Sequence, residues 1–454
     1  MANQQKIVST LKEQLGNSND FKIQDIDSFR KKIVLVYIES LIDYKKINKD
    51  LIDPLLLCEK EDKYLLHLLS LPPCRQLKTE DNLLSLLIKG NLLIITTDFI
   101  FSYDAKKATN NQPGDSAVEM AVLGPQKALS ENLSTNINLV RNRYPSEHLI
   151  MEQQTVGTMS KTPIALMYDK KLVDHDVLSD VKKRLPEIKM DMIQAIGQLE
   201  NAMTKKKHHL FPIMMITERP DRIALNLSQG KVIILMHGTP FALIVPAVFF
   251  DFMSSMDDTS HTFWTNMLMI GIRYIGLLIT LVLPALYIAL TSYNPEILRS
   301  QLAATIAGSR AGVPYPSFFE VAFMMLAVEM LVESSIRLPK AIGPTATTVG
   351  GLILGQAAQQ AQLVSSIMII ITAFVAISNF TIPVNPMSFA IRVARYPLIL
   401  LASFFGMMGV VAGLILLICY LTDKRSFGTP FLRLYRGSSR RIEKITENPK
   451  GEKG

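Results

Sequence analysis

Cysteine is scarce in this chain of 454 residues: only Cys58, Cys74 and Cys419. Their spacing fits neither a disulfide framework nor a metal site, and Cys419 lies in an apolar run, so a reducing compartment is expected for the soluble part. An apolar leader is missing as well. MANQQKIVSTLKEQ is polar, which predicts no secretory signal and keeps the N-terminal domain inside. No P-loop, dinucleotide fingerprint, HExxH or nucleophile elbow occurs. That argues against an enzyme, and no catalytic, cofactor or metal residue is assigned. The net charge is +8, yet the basic residues are not gathered as a nucleic-acid binder requires, so no nucleic acid partner is expected.

Charge itself is what the second half lacks. Up to about residue 230 the chain is dense in Lys, Asp and Glu; from 267 to 422 charge thins out. After the last apolar run it returns as KRSFGTPFLRLYRGSSRRIEK, with Lys424, Arg425, Arg433, Arg436, Arg440, Arg441 and Lys444. Such a block marks a cytoplasmic, anionic membrane face. The expected organisation is a flexible N-terminus (1–19), two α/β subdomains (20–145 and 146–250), a linker (251–266), a membrane domain (267–422) and a basic cytoplasmic tail (423–454). The fold class is an α/β region of two similar lobes followed by an all-α polytopic membrane bundle.

The two lobes are suggested by a weak repeat. IVLVYIESLID (33–43) and IALMYDKKLVD (164–174) each give an apolar strand with a Tyr (Tyr37, Tyr168), then end at Asp43 or Asp174 ahead of a helix. SLLIKGNLLIIT around Gly90 and LNLSQGKVIILM around Gly230 each read as a helix stopped by Gly and followed by a strand. A chance match of short strand–helix patterns is the alternative. ATNNQPGDSA is read as a polar loop in the first lobe.

Roughly 20 apolar residues cross a bilayer. Residues 267–290, with Arg273 as their one charge and Pro284 as a kink, meet that length. So do 396–422, whose small residues suit close helix contact, and 363–384. Residues 342–362 are the weakest of the four by hydropathy. A fifth apolar run, 317–337, carries Glu320, Glu329 and Glu333. A carboxylate at the bilayer centre costs roughly 2.5–3.5 kcal/mol, so this run is read as an amphipathic or re-entrant helix. With the N-terminal domain and the basic tail both inside, the crossings must be even in number, and four is the count expected.

One segment resists that simple picture. VGGLILGQAAQQAQLV (349–364) carries four glutamines. At 100° per residue, Gln356, Gln359 and Gln360 with Thr345 and Thr348 fall within an arc of about 120°. Gly350, Gly351, Gly355 and Ala358 supply small-residue packing positions on the same helix. The amides are either interhelical glue, worth about 0.6–2 kcal/mol a pair, or the lining of a wet path between several copies. Glu329 and Glu333 likewise have two readings. They pair with Arg337, with Lys340 or with another subunit, or they form an acidic ring that attracts cations.

Several long stretches resemble the A subunit of spore germination receptors, the GerA-type family of endospore-forming bacteria. They are TERPDRIALNLSQGKVIILMHGTPFALIVPAVFFDF (217–252), LPALYIALTSYNPEI (283–297), SRAGVPYP (309–316), RLPKAIG (337–343), GQAAQQAQLVSSIMI (355–369), FTIP (380–383) and RSFGTPFL (425–432). The resemblance implies a multi-pass protein of the spore inner membrane. Its partners would be a transporter-like B subunit that binds the nutrient and a lipoprotein C subunit. The A subunit would assemble with itself, as a pentamer, into a ligand-gated cation channel; a non-conducting scaffold is the alternative. Ala311, His237-Gly238, Met325 and Asn385-Pro386 depart from the family pattern, three of them at positions where it carries acidic residues.

Two smaller features have plainer readings. His208-His209 follows a lysine run and is read as a solvated loop. Asp221 and Arg222 of TERPDR are assigned to helix capping, with Thr217 and Glu218, and to salt bridging with the neighbouring lobe.

Overall fold

The computed structural model describes residues 2–15, 18–28, 31–58, 61–77, 82–96, 99–106, 114–116, 118–119, 124–204, 209–339 and 342–433. Lys340, the polar loop at 108–113 and the basic residues beyond Arg433 lie outside them.

Two five-stranded antiparallel sheets form the N-terminal half. The first contains β1 (Phe21–Ser28), β2 (Lys31–Ile38), β3 (Cys74–Leu77), β4 (Asn91–Ile95) and β5 (Ile100–Asp104), in the order β1-β2-β4-β5-β3. The second contains β6 (Leu149–Val156), β7 (Thr162–Asp169), β8 (Met215–Thr217), β9 (Val232–Met236) and β10 (Ala242–Val245), ordered β6-β7-β9-β10-β8. The two orders are the same permutation, so one plan is used twice.

Local chemistry explains why the plan is legible. Asp43 and Asp174 each follow the second strand of their sheet and cap a helix, accepting from the backbone N–H of Lys45 (2.9 Å) and Asp176 (3.0 Å). Gly90 and Gly230 end helices Leu83–Ile88 and Pro220–Ser228 with φ of +91° and +80°. At Gly230 a Cβ would fall 2.2 Å from the Leu172 carbonyl oxygen, so no larger residue fits. The central strands are apolar on both faces: Ile233 and Leu235 join one core cluster while Val232, Ile234 and Met236 join another. In the first sheet Leu92 and Ile94 oppose Leu93 and Ile95 in the same way.

A buried ion pair ties helix Leu133–Arg143, whose Leu133, Ile137 and Val140 pack in a core of the second sheet, to the start of the first sheet. Arg141, on helix Leu133–Arg143, donates to both Asp20 carboxylate oxygens at 2.7 Å, and both side chains are buried. Ser18 receives a third hydrogen bond from the same guanidinium, and its hydroxyl accepts from the Met151 N–H in β6.

The N-terminal segment departs from expectation. Instead of being flexible, Ala2–Leu15 is a helix, with Leu11 and Leu15 buried against the first sheet beside Ile7 and Val8. The spacing of these four residues makes one apolar stripe, and that stripe covers the same sheet face as helix Leu83–Ile88.

The C-terminal half is helical. The entry helix Phe263–Ile288 is anchored to the linker by Arg273, which pairs bidentately with Asp258 and donates to the Met253 carbonyl. Helices Ser300–Arg310, Ser317–Arg337 (the acidic helix), Gly343–Gln360 (the glutamine helix), Ser366–Phe380 and Asn385–Asp423 follow. Among the described residues, Phe263–Tyr293 and Asn385–Asp423 are long and apolar enough to cross a membrane. Ser366–Phe380 is apolar but has 15 residues, and the glutamine helix does not meet the same test, so a count of four is not reached on length and hydropathy.

The run 396–422 is not one straight span. At Gly406 the backbone takes φ +57°, ψ −136° and the chain reverses. A Cβ on Gly409 would lie 2.1 Å from the Leu401 carbonyl oxygen, and one on Gly413 would lie 3.3 Å from the Leu398 Cγ. In an unbroken helix Leu398 and Gly413 would be about 22 Å apart. Asn385–Asp423 is therefore a helical hairpin whose glycines let its own two legs meet. Tyr293, at the far end of the entry helix, lies against Gly406 and donates to the Ser403 carbonyl.

The start of the basic tail is also not a lipid-facing strip. Arg425–Ser426 pairs with Thr429–Pro430, and this ribbon docks on the second lobe. Phe427 enters the core cluster on one side of the second sheet and Phe431 the cluster on the other. Ser426 donates to the Ile213 carbonyl at 2.6 Å and Phe249 donates to that of Phe431 at 2.9 Å. Lys424 is buried, donates to the Phe211 carbonyl and lies over three aromatic rings; burial pushes its pKa down to about 8.

Candidate functional site

The glutamine helix leans on the acidic helix through its small residues. Cβ atoms built on Gly350 and Gly351 would touch Leu331 at 3.4 and 3.9 Å, and Ala358 is buried. Gly355, grouped with them by spacing, has open space around its Cα instead. Thr345, Thr348, Gln356, Gln359 and Gln360 all point outward and are exposed in the single chain. Gln359 donates to Ser366 at 3.1 Å. The fourth glutamine, Gln362, lies beyond the helix with φ +55°, and its amide packs on Gly312 of SRAGVPYP. The amides thus are not packed dry inside one protomer.

The three carboxylates of the acidic helix have three different environments. Glu320 is buried; it accepts from the Tyr287 hydroxyl at 3.0 Å and from the Ser365 N–H, and Arg310 approaches at 3.4 Å. It therefore ties together the entry helix, Ser300–Arg310 and the start of Ser366–Phe380. Glu333 pairs with Arg337 one turn on, in an exposed position. Glu329 does not join them. It bridges to Arg392 (3.0 Å) and Arg395 (2.5 Å) on the first leg of the hairpin. Those arginine side chains are 10% and 2% exposed. Sequence reasoning missed both, although two charges three residues apart in an apolar run already demand a counter-charge.

Helix directions follow from the same contacts. Gly276 faces Ser378 and Thr381, whereas Tyr287 meets Ser365, so the entry helix and Ser366–Phe380 run antiparallel. The acidic and glutamine helices are antiparallel too, with Leu331 on Gly350 and Gly343 near the Ser335 carbonyl.

TERPDR makes structural links. Asp221 accepts from the Arg222 N–H at the start of its helix and pairs with Arg219 at 2.6 Å. Arg222 pairs with Glu119 at 2.8 Å and donates to the Ser254 carbonyl at 2.6 Å. Lys231, fully buried, pairs with Asp251 at 2.7 Å, and desolvation lowers its pKa. These bonds connect the second lobe to the segment before it and to the linker behind it.

A family model described as Bacillus/Clostridium GerA spore germination protein matches residues 9–444. Spore germination protein KA of Bacillus subtilis (strain 168) is 34% identical over 442 residues, which cover 94% of this chain and 80% of that protein. Spore germination protein GerLA of Bacillus cereus is 30% identical over 439 residues, covering 94% of this chain and 89% of that protein. The crystal structure of the N-terminal domain of the A subunit of the Bacillus megaterium spore germinant receptor GerK3 is 26% identical, with a TM-score of 0.41, over 53% of this chain and 94% of that one.

Proposed function

Because this chain belongs to the GerA family of spore germination proteins, we propose that it is the A subunit of a spore nutrient-germinant receptor, and that several copies form a ligand-gated cation channel in the spore inner membrane. The observation that carries this reading is the outward amide face of the glutamine helix: Thr345, Thr348, Gln356, Gln359 and Gln360 are exposed, while its small residues Gly350 and Gly351 pack on the acidic helix. In hydrocarbon such amides need polar partners or water. Bringing the same face of several copies around a wet axis, as a pentamer, gives the exposed amides of Gln356, Gln359 and Gln360 water to bond. Glu329 is held by two nearly buried arginines of its own chain, whereas Glu333 is exposed and meets a single exposed arginine, Arg337, so Glu333 is the better source of an acidic ring.

Residues 20–145 and 146–250 are the cytoplasmic lobes in this reading, 251–266 the linker and 423–454 the cytoplasmic tail. Docking of the ribbon on the second lobe supports an even number of crossings. The entry helix, Ser366–Phe380 and the two hairpin legs supply four. The acidic and glutamine helices form an antiparallel pair that starts and ends on the far side. A transporter-like B subunit and a lipoprotein C subunit complete the receptor. The test replaces Gln356, Gln359 and Gln360 by Leu. Loss of cation release with intact complex formation is expected; normal release would instead favour a scaffold.

A further inference from the structure

Glu329 faces two cations at once. Its Oε1 accepts from Arg395 Nη2 at 2.5 Å, and its Oε2 stands 3.0 Å from Arg392 Nη1. Two guanidiniums against one carboxylate leave one positive charge over. Both arginine side chains are at least nine-tenths buried. Among the described residues, Arg392 Nε and Nη1 and Arg395 Nε form no hydrogen bond. The rings of Phe389 and Tyr396, 4.5 and 5.3 Å from the two guanidinium carbons, offer a π face but no anionic charge.

No other acid of the helical half can supply that charge. From Phe263 to Asp423 the chain has five carboxylates. Besides Glu329, Glu320 is held by Tyr287, Ser365 and Arg310, Glu333 by Arg337 and Glu296 by Asn294. Asp423 is exposed at the end of the second hairpin leg. Lys340 and Ala341, the residues of this stretch outside the description, are not acids. A buried lysine would answer by losing its proton, but arginine keeps its charge across the physiological range. A buried charge without compensation is strongly unfavourable, so the cluster calls for a second anion.

We propose that a small monovalent anion of the chloride class binds at Arg392 and Arg395 and completes the neutralisation that Glu329 begins. The burial of both side chains favours a small ion over a bulky group such as a lipid phosphate. Bound there, the ion holds the acidic helix, and with it the glutamine helix, against the first leg of the hairpin. The site lies within one protomer and does not rest on conduction.

The test follows thermal unfolding of the purified full chain in detergent, in sodium gluconate titrated with sodium chloride at constant ionic strength. Chloride should raise the melting temperature saturably, by roughly 1–4 °C once it is about tenfold above its half-point. Arg392→Met removes the surplus charge and leaves a matched Glu329–Arg395 pair. That variant should unfold no earlier than the parent in gluconate and should lose the chloride response; Arg395→Met serves in its place if Arg392→Met does not fold. Arg337→Met, at an exposed arginine, should keep the response. Equal melting of the parent in the two salts, or a chloride response that survives in the buried-arginine variant, would overturn the site. Saturable stabilisation by phosphatidylglycerol in gluconate, lost in Arg392→Met, would assign the counter-charge to a lipid phosphate and overturn the small ion. No arm of the test reads current, so its failure would leave the channel reading standing.

Discussion

Replacing Gly406 by alanine attacks the hairpin where the chain turns. Two costs add. The conformation at φ +57°, ψ −136° is open to glycine and costs other residues about 1–3 kcal/mol. The new methyl would also sit 2.7 Å from the Tyr293 Cβ and 2.8 Å from its Cγ. Relieving that overlap costs another 1–3 kcal/mol or so, because the Tyr293 hydroxyl is itself tied to the Ser403 carbonyl. The sum, about 2–6 kcal/mol, is large enough to lower the melting temperature of the detergent-solubilised chain. A crosslink makes the geometry explicit. In a background with Cys58, Cys74 and Cys419 changed to Ser, Leu398→Cys with Gly413→Cys should oxidise to an intramolecular disulfide, since the built Gly413 Cβ lies 3.3 Å from the Leu398 Cγ. Gly406→Ala should slow that oxidation. If no crosslink forms, and Gly406→Ala melts like the parent, 396–422 is a continuous span and the hairpin is wrong.

Two further outcomes are expected. Glu329→Leu leaves Arg392 and Arg395 buried without a counter-charge and should destabilise the membrane domain by about 3–5 kcal/mol; replacing both arginines by Leu in the same chain should recover much of that loss in thermal unfolding. For Glu200, the folded pKa stands above the unfolded one, so its contribution is complete below pH 4.5 and is lost as pH rises through about 7. The stability of the parent relative to Glu200→Gln should therefore fall between pH 5 and 8, and identical pH profiles would contradict the burial of this acid.

What the sequence revealed, and what it hid, follows from the range of each interaction. Asp43 and Asp174 bond two residues ahead, and Gly90 and Gly230 answer a local backbone demand, so the doubled α/β plan is written in short windows. The bounds of the acidic helix, Ser317–Arg337, were legible for the same reason. Hydropathy, however, does not change where an apolar chain turns, and Gly406 sits in a run that stays apolar on both sides. The Glu329 bridge spans 66 residues, and nothing near Glu329 marks its partners. Phe427 and Phe431 were hidden by the basic residues around them, which read as a membrane-facing tail until the ribbon is seen in the second lobe's cores. Of the glutamine helix, the spacing gave the polar face and the buried Ala358, but not that Gly355 is left uncovered.

The amide face remains the centre of the account, and a planar bilayer interrogates it most directly. The purified oligomer of the full chain should carry cation current, and the Gln356→Leu, Gln359→Leu, Gln360→Leu variant should assemble to the same size and carry none. Equal current from both would contradict the account, as would a silent parent oligomer.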